Sequence, residues 1–435
     1  RELTYFLKWI DEIKERKSQS TALLARRKMG KSALMQRLFN ITFANNDGVI
    51  PFYYEIQEVK MWLGDFCADF FLTFIYQYIA FKTRKVEYLE KVTGSDFNRA
   101  SAIAHKEGLD YLCETIEITA HAYRHEQVDI LWNIARETPR KIAGRQQEFI
   151  VQMIDEFQFL NSQFYRDKNL DKLQSDIAAG YLGTAESKVA PLLVSGSWVG
   201  WLMNLLQSML PARFIYFPLE DLPQDEAVEM IFKYSQVYRI PITEEIAFLM
   251  AALTEGSPFY ISSLFRSLYP KKDFTSLEGL NQTLEFEILD KQGIIKNSWM
   301  EYIAAAFSKV NNRNAKRIVL HLCKNKSREL TRKEIIDDLQ LSLTDEAVEE
   351  KMKALVHADI VKQGQTNFDY RSVQDNIFDK VFRGVYQKEI DTFDISIIGK
   401  EINREFRELK KKYKRLQGKH NYLQGYFAEY LIIDL

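Results

Sequence analysis

The sequence predicts an α/β domain built on a parallel sheet, followed by a helical region, a small winged-helix module and a C-terminal helical segment. Three observations predict it. First, the apolar run Thr21 to Leu24 leads through a loop into Gly30-Lys31-Ser32, which opens an apolar-periodic helix with Ala33, Leu34, Met35, Leu38 and Phe39. Second, Phe149 to Asp155 is a strand-length apolar run that ends in two adjacent carboxylates, Asp155 and Glu156. Third, the texture changes near Asn311 to short amphipathic helices around a small hairpin.

Composition sets the outer bounds. At 435 residues the chain exceeds one ordinary core, so two or three domains are expected. A hydrophobic share of 46% and a charged share of 27% fit a soluble globular protein. Lys plus Arg number 59 against 60 Asp plus Glu, which argues against a nucleic-acid coat protein but leaves room for a local basic patch. Cys67, Cys113 and Cys323 are far apart, which fits a reducing cytoplasm and is too few for a Cys-based zinc cluster. The apolar stretch 66–81 starts beside Asp65, carries Asp69 and Gln77, and falls short of the ~20 residues of a spanning helix. It reads as a core helix, and no membrane partner is expected. The chain begins at Arg1 and ends inside an apolar helical pattern, so both ends read as cut points.

The elements follow in order. Residues 1–17 read as an amphipathic helix with Leu3, Phe6, Leu7, Ile10 and Ile13 on one stripe. After the strand at 21–24, a helix N-terminus opening on Gly-Lys-Ser offers free N–H groups and a favourable dipole to an anion. Lys31 would reach a phosphate there and Ser32 would take one position on Mg²⁺. The same tripeptide also fits an ordinary strand–helix turn with a surface lysine, and Ala25 stands where the full pattern has glycine. Alanine is tolerated at that position only if it needs no positive φ. Residues 48–55 read as a second strand and 61–81 as an apolar helix. Residues 82–144 are polar and helical, an insertion into the sheet domain.

Carboxylates at the carboxyl end of a strand lie where open α/β sheets bind ligands. Asp155 would hold Mg²⁺ and Glu156 would orient or deprotonate a water. A solvated acidic turn is the plainer alternative. Pro191 to Ser197 is another buried strand, whose Ser195 and Ser197 either meet the phosphate or water or cap the next helix. Residues 212–217 read as the last strand, with Arg213 at its start. Helices fill 223–268, broken at Ile240-Pro241 and at Glu255-Gly-Ser-Pro258.

In the C-terminal part, helices are expected over 315–323, 331–339 and 344–357, with Thr331 and Glu334 in capping-box spacing. A hairpin is expected at 360–362 and 367–370 around Gly364, and a further helix over 374–390. Residues 400–419 are dense in Lys and Arg, and the chain then turns aromatic and apolar.

Taken in order, these residues carry a family likeness. Arg1-Glu2 before a helix, Ala25-Arg-Arg-Lys-Met-Gly-Lys-Ser32, Met153-Ile-Asp-Glu-Phe-Gln158, Leu193-Val-Ser-Gly-Ser197, Leu219-Glu-Asp-Leu222 and Glu255-Gly-Ser-Pro-Phe-Tyr260 resemble the prokaryotic P-loop ATPases of the AAA+/STAND borderland, the archaeal-type ATPases. The resemblance implies a P-loop NTPase sheet of order 5-1-4-3-2 and a Walker A loop at 25–32. ATP would be held by Arg26, Arg27, Met29, Gly30, Lys31, Ser32 and Ala33, and by Pro258 of a Gly256-x-Pro258 lid motif. It implies a Walker B pair at Asp155 and Glu156, Mg²⁺ on Ser32 and Asp155, a sensor at Ser195 or Ser197, and Arg1-Glu2 near the nucleotide base. Whether Arg213 is an arginine finger acting in trans stays open. The segment Gln424 to Tyr430, with Glu429, resembles the opening helix of restriction-nuclease-like domains, and an apolar docking or oligomerisation helix fits it as well.

The implied boundaries are 1–220 for the ATPase core with its insertion at about 82–144, 221–300 for the lid, 311–390 for the winged helix, and 398–435 for a basic and apolar segment that starts a truncated further domain. Function divides three ways. One reading is a cytoplasmic ATP-driven switch controlling assembly or an effector, with a protein partner or self-association. The second is a DNA-handling ATPase of a mobile-element or defence system, with nucleic acid on 400–419. The third is a nucleotide-binding scaffold without turnover. Asp345, Glu346, Glu349 and Glu350 at the start of the would-be recognition helix oppose an anionic groove, which favours a protein contact there.

Overall fold

The computed structural model describes residues 1–90, 95–308, 312–366, 368–373, 375–390 and 395–433, with the side chains of 308, 312, 313, 389 and 424–433 outside that description. The chain forms two compact units, Arg1–Leu219 and Glu220–Leu435.

The first unit is organised by five parallel strands: β1 (Thr21–Leu24), β2 (Val49–Glu55), β3 (Phe149–Asp155), β4 (Leu192–Gly196) and β5 (Ile215–Pro218). Their spatial order is β2-β3-β4-β1-β5, which is 5-1-4-3-2 read from the other edge. β1 and β4 are buried at every position, as strands covered on both faces must be, and so read as continuous apolar runs. Edge strand β5 is largely exposed.

Helix α1 covers Glu2–Asp11, shorter than the apolar stripe predicts. Beyond it the chain tightens into i→i+3 bonds, Ile13 to Ile10 and Lys14 to Asp11, and stops at Arg16 with φ of 57°. Ile13 stays fully buried, so the stripe outlasts the helix. Helix α2 (Lys31–Asn45) follows β1, and α3 (Leu63–Thr83) packs on β2. Phe52 makes edge contacts with Phe70 and Phe74 there, at 5.1 and 5.2 Å between ring centroids. Among the described residues no helix is long and apolar enough to cross a membrane.

The insertion holds α4 (Phe97–Lys106), α5 (Cys113–Arg124) and α6 (Val128–Gln146). Its last helix runs straight up to β3, so the 124 residues from Lys31 to Asp155 return the chain to the strand beside β2. Helix α7 (Val199–Met209) links β4 to β5.

The second unit opens with α8 (Gln224–Tyr238), α9 (Glu244–Leu253), α10 (Pro258–Arg266), α11 (Leu277–Leu289) and α12 (Ile294–Ser308). Leu249, Ile261, Leu264, Leu280 and Ile288 are core residues of this unit. Next come α13 (Asn312–Lys324), β6 (Leu330–Thr331), α14 (Arg332–Leu339), α15 (Asp345–His357), β7 (Val361–Gln363) and β8 (Asp369–Ser372). The three strands form an antiparallel sheet of order β6-β8-β7.

Thr331 and Glu334 close the capping box that their spacing suggests. The sequence reading finds the hairpin but not β6, which is two residues long and runs directly into α14. Asn367 lies outside the described residues. Helix α16 (Asn376–Phe382) precedes the long α17 (Ser396–Ile433). Ile398, Ile402 and Phe406 of α17 join the helical core, whereas residues 414–423 are exposed. The side chain of Glu429 lies outside the described residues.

Candidate functional site

The carboxyl ends of β1, β3 and β4 place the polar groups of the first unit side by side. β1 stops at Leu24, and the loop crosses to α2 through two left-handed residues, Lys28 with φ of 66° and Gly30 with φ of 86°. A Cβ on Gly30 would meet nothing within 4 Å, so it is backbone angle and not space that asks for glycine there. Ala25 is not among the residues of positive φ and is buried, which meets the condition for an alanine at the first position.

Lys31 is 4% exposed, and its ammonium donates to the Ala25 and Arg26 carbonyls, both at 2.8 Å. The lysine therefore spans its own loop. Arg26 and Met29 are half-buried, and Ala33 is exposed in the first turn of α2. The Arg27 guanidinium lies 3.7 Å from the Glu58 carboxylate and 6.0 Å from the centre of the Trp198 ring.

Asp155 is fully buried at the end of β3. One carboxylate oxygen accepts from the Ser32 hydroxyl, and from Tyr53 Oη at 3.5 Å. The other accepts from the Ser195 hydroxyl and, at 2.9 Å, from the Glu156 N–H. Strand register explains the meeting: Ile154 pairs with Val194, so Asp155 comes beside Ser195, while Ser195 pairs with Leu23 of β1. Burial, and next the Asp155 charge, push the Tyr53 phenol above its ordinary range, so Tyr53 stays a neutral donor.

Glu156 takes a left-handed backbone with φ of 56°, an uncommon state for a non-glycine residue. Its carboxylate accepts from the Ser197 hydroxyl at 2.7 Å, the Ser197 N–H at 3.2 Å and the Gln158 amide. The two serines therefore divide the work, Ser195 on Asp155 and Ser197 on Glu156. Ser197 does not cap α7, whose N-cap is Trp198 with no side-chain bond to the helix. Gly196 leaves room for Gln158, since a Cβ there would stand 2.1 Å from the Gln158 side-chain oxygen.

Arg213 stands apart from this cluster within the first unit. Arg213 precedes β5, whose first residue pairs with the first residue of β1, so it sits at the amino end of the sheet, roughly 10 Å of strand from the loop. There it forms an ion pair with Glu186 at 2.9 Å. Pro258 belongs to the second unit, at the first turn of α10. Just before it, Gly256 has φ of 73° and lies so close to the Leu222 carbonyl that a Cβ would stand 2.0 Å from that oxygen. Arg1 and Glu2 pair with each other at 2.8 Å.

The sequence reading missed Gln158, Tyr53 and Glu58. Gln158 lies two residues beyond Glu156 and was legible as a polar group in an otherwise apolar turn. Tyr53 becomes visible only once β2 is known to lie beside β3.

No protein-family model matches the chain, and no curated protein matches it in sequence. Among solved structures it is similar to a Walker-type ATPase of Pyrococcus abyssi, at 14% identity over 87% of this chain and 94% of that one, with a TM-score of 0.51. This chain has the P-loop NTPase fold. Two further structures align with lower TM-scores. The ORC2 protein of Aeropyrum pernix in its ADP form gives 0.42 at 10% identity, over 93% of this chain and 94% of that one. The RuvB Holliday junction branch migration motor of Thermotoga maritima gives 0.38 at 11% identity, over 90% and 95%.

The donor set suits a hard divalent cation. Ser32 and Asp155 offer a hydroxyl and a carboxylate oxygen already in hydrogen-bond contact. Among the described residues no group of three or more His, Cys, Asp or Glu forms a metal cage. Mg²⁺ is usually held in this way, by one or two protein oxygens together with phosphates and waters.

Proposed function

We propose that the chain is an ATP-binding and ATP-hydrolysing switch of the AAA+/STAND type, controlling assembly or an effector through a protein partner or a second copy of itself. The observation that carries this reading is the bond from Ser32, next to Lys31, to Asp155, next to Glu156, across the carboxyl ends of β1 and β3, the two strands that flank β4. In this reading the first turn of α2 and the Lys31 ammonium bind the phosphates, exchanging the loop carbonyls of Ala25 and Arg26 for phosphate oxygens. Ser32 and Asp155 hold Mg²⁺, which would neutralise developing phosphate charge. Glu156 accepts a proton from, or orients, the attacking water, and Ser197 with Gln158 fixes its carboxylate. Ser195 keeps Asp155 oriented. Arg213, paired with Glu186 at the other end of the sheet, takes no part in the chemistry of its own chain.

Residues 311–390 fit a winged helix used for protein contact. Asp345 and Glu349 at the start of α15 pair with Arg332, and Glu346 and Glu350 remain exposed.

The test is nucleotide binding and phosphate release by the full chain beside Lys31→Ala. The proposal expects both to be lost in the variant, and equal phosphate release by the two proteins would overturn it.

A second reading, nucleic-acid handling, is favoured by one feature. Lys400, Arg404, Arg407, Lys411, Lys414 and Arg415 recur at helical spacing along α17, all exposed and with no ion-pair partner among the described residues. Such a stripe suits a phosphate backbone. DNA affinity that falls steeply with salt in the parent, and is lost when residues 400–419 are neutralised, would support it. Salt-independent binding would remove it.

A further inference from the structure

The first unit has a second polar feature, on the other face of β2. Tyr53 faces Asp155, and its neighbour Tyr54 faces away, as strand alternation requires. Tyr54 lines a cavity of about 490 Å³ between α3 and the insertion helices. Its walls include Phe66 and Phe164, stacked at 4.0 Å and each 1% exposed, with Tyr123 beside them. Asp65 and Asp69, one turn apart on α3, share this cavity.

The two carboxylates are not charge-balanced. Asp69 accepts from Tyr54 Oη at 2.8 Å and Asp65 from Tyr123 Oη at 2.7 Å, both neutral donors. Neither has an ion-pair partner among the described residues. Lys168 lies within Coulombic reach of Asp65, but its ammonium is bonded to Glu126 at 2.7 Å and lies 4.6 Å from the centre of the Trp62 ring, so one lysine faces more than one carboxylate. The helix dipole accounts for Asp65 in the first turn of α3, but it fades before Asp69. A carboxylate keeps several acceptor positions, and one tyrosine hydroxyl fills one of them. Two anions beside π faces ask for a cation. Asp65 and Asp69 have no third His, Cys, Asp or Glu beside them among the described residues to complete a metal site, and the volume suits a long organic side chain.

The geometry points to a binding site for the basic side chain of a protein partner, a lysine or arginine whose stem lies on Tyr123 and whose charged end meets Asp65 and Asp69. The site is separate from the nucleotide reading and can fail or succeed without it.

The experiment is calorimetric titration of the full chain with glycine-flanked peptides that carry one arginine or one lysine. Citrulline and norleucine peptides serve as neutral controls, and free cadaverine and adenosine as rivals. Saturable binding of the charged peptides is expected, with at least about tenfold weaker binding of the neutral ones. Asp65→Asn with Asp69→Asn, which keeps acceptors for both tyrosines, should weaken charged-peptide binding about tenfold and leave nucleotide binding unchanged. Asp65→Asn alone, at an exposed position, should give part of that loss and guards against misfolding of the double variant. Equal binding of arginine and citrulline peptides would overturn the proposal, as would full binding by the double variant. Tighter binding of cadaverine would overturn the assignment to a protein partner, and displacement of the peptide by adenosine would replace it with a nucleobase site.

Discussion

The buried cluster of the first unit and the exposed stripe of the second use charge in opposite ways. At the carboxyl ends of β1, β3 and β4 a few polar groups are buried and bonded to one another: Asp155 is fully buried with Ser32 and Ser195 on it, and Glu156 is gripped by Ser197 and Gln158. Along α17, Lys400, Arg404, Arg407, Lys411, Lys414 and Arg415 stand in water with no ion-pair partner among the described residues, whereas Lys410 beside them pairs with Glu245 at 3.6 Å. A buried polar cluster fails when one member is removed, because the partner left behind loses its hydrogen bond in a low dielectric. A solvated stripe acts by summed charge and fails gradually. Single substitutions should therefore be decisive in the buried cluster and weak on the exposed stripe.

The largest expected effect sharpens that contrast. Lys31→Ala should weaken nucleotide binding by roughly 100-fold or more, the scale for removing one partner of a buried charge contact. A shift of only a few-fold in a direct binding titration would place Lys31 with the gradual group. Ser197→Ala comes next. It removes one hydroxyl from the Glu156 carboxylate and should slow turnover about fivefold to tenfold with unchanged nucleotide affinity, as read from kcat and a separate Kd. Unchanged turnover would show that Gln158 alone orients Glu156.

For the basic stripe, neutralising only Arg407 should change DNA affinity about twofold to fivefold and lower the salt slope by about one. Neutralising the whole stripe should abolish binding. An all-or-none effect of Arg407 alone would break the comparison.

The smallest effect concerns Glu287, fully buried in the second unit and accepting from the N–H groups of Ile294 at 2.7 Å and Ile295 at 3.1 Å. Burial pushes its carboxyl above the ordinary range, against the pull of those bonds. The folded state therefore holds this proton more readily than the unfolded one. Its contribution to stability is complete at low pH and is lost as pH rises from about 4 through the raised value. Glu287→Gln should flatten that part of the pH profile of thermal unfolding. An unchanged profile would mean that the carboxylate is already charged when folded.

Much of the first unit was legible in the sequence because its signals are local. Continuous apolar runs marked the buried strands, and the break from Leu24 to Gly30-Lys31-Ser32 marked the loop. Partnership was less legible. The spacing of Ser195 and Ser197 did not say which carboxylate each would meet, because that depends on the register of β4 against β3 and on the left-handed turn at Glu156. Tyr53 depended on strand order. Arg213 read as a site candidate because it borders a strand, yet the parallel sense of β5 puts it at the amino end. In the second unit the helices were visible from periodicity, whereas the two-residue strand β6 carries too little pattern to be seen.

The most direct test is Glu156→Gln in the full chain, with ATP binding and phosphate release measured on the same sample. The account predicts nucleotide affinity close to that of the parent and phosphate release reduced by about 100-fold or more. Release at the parent's rate would contradict it, and Glu156 would then be a structural carboxylate held by Ser197 and Gln158.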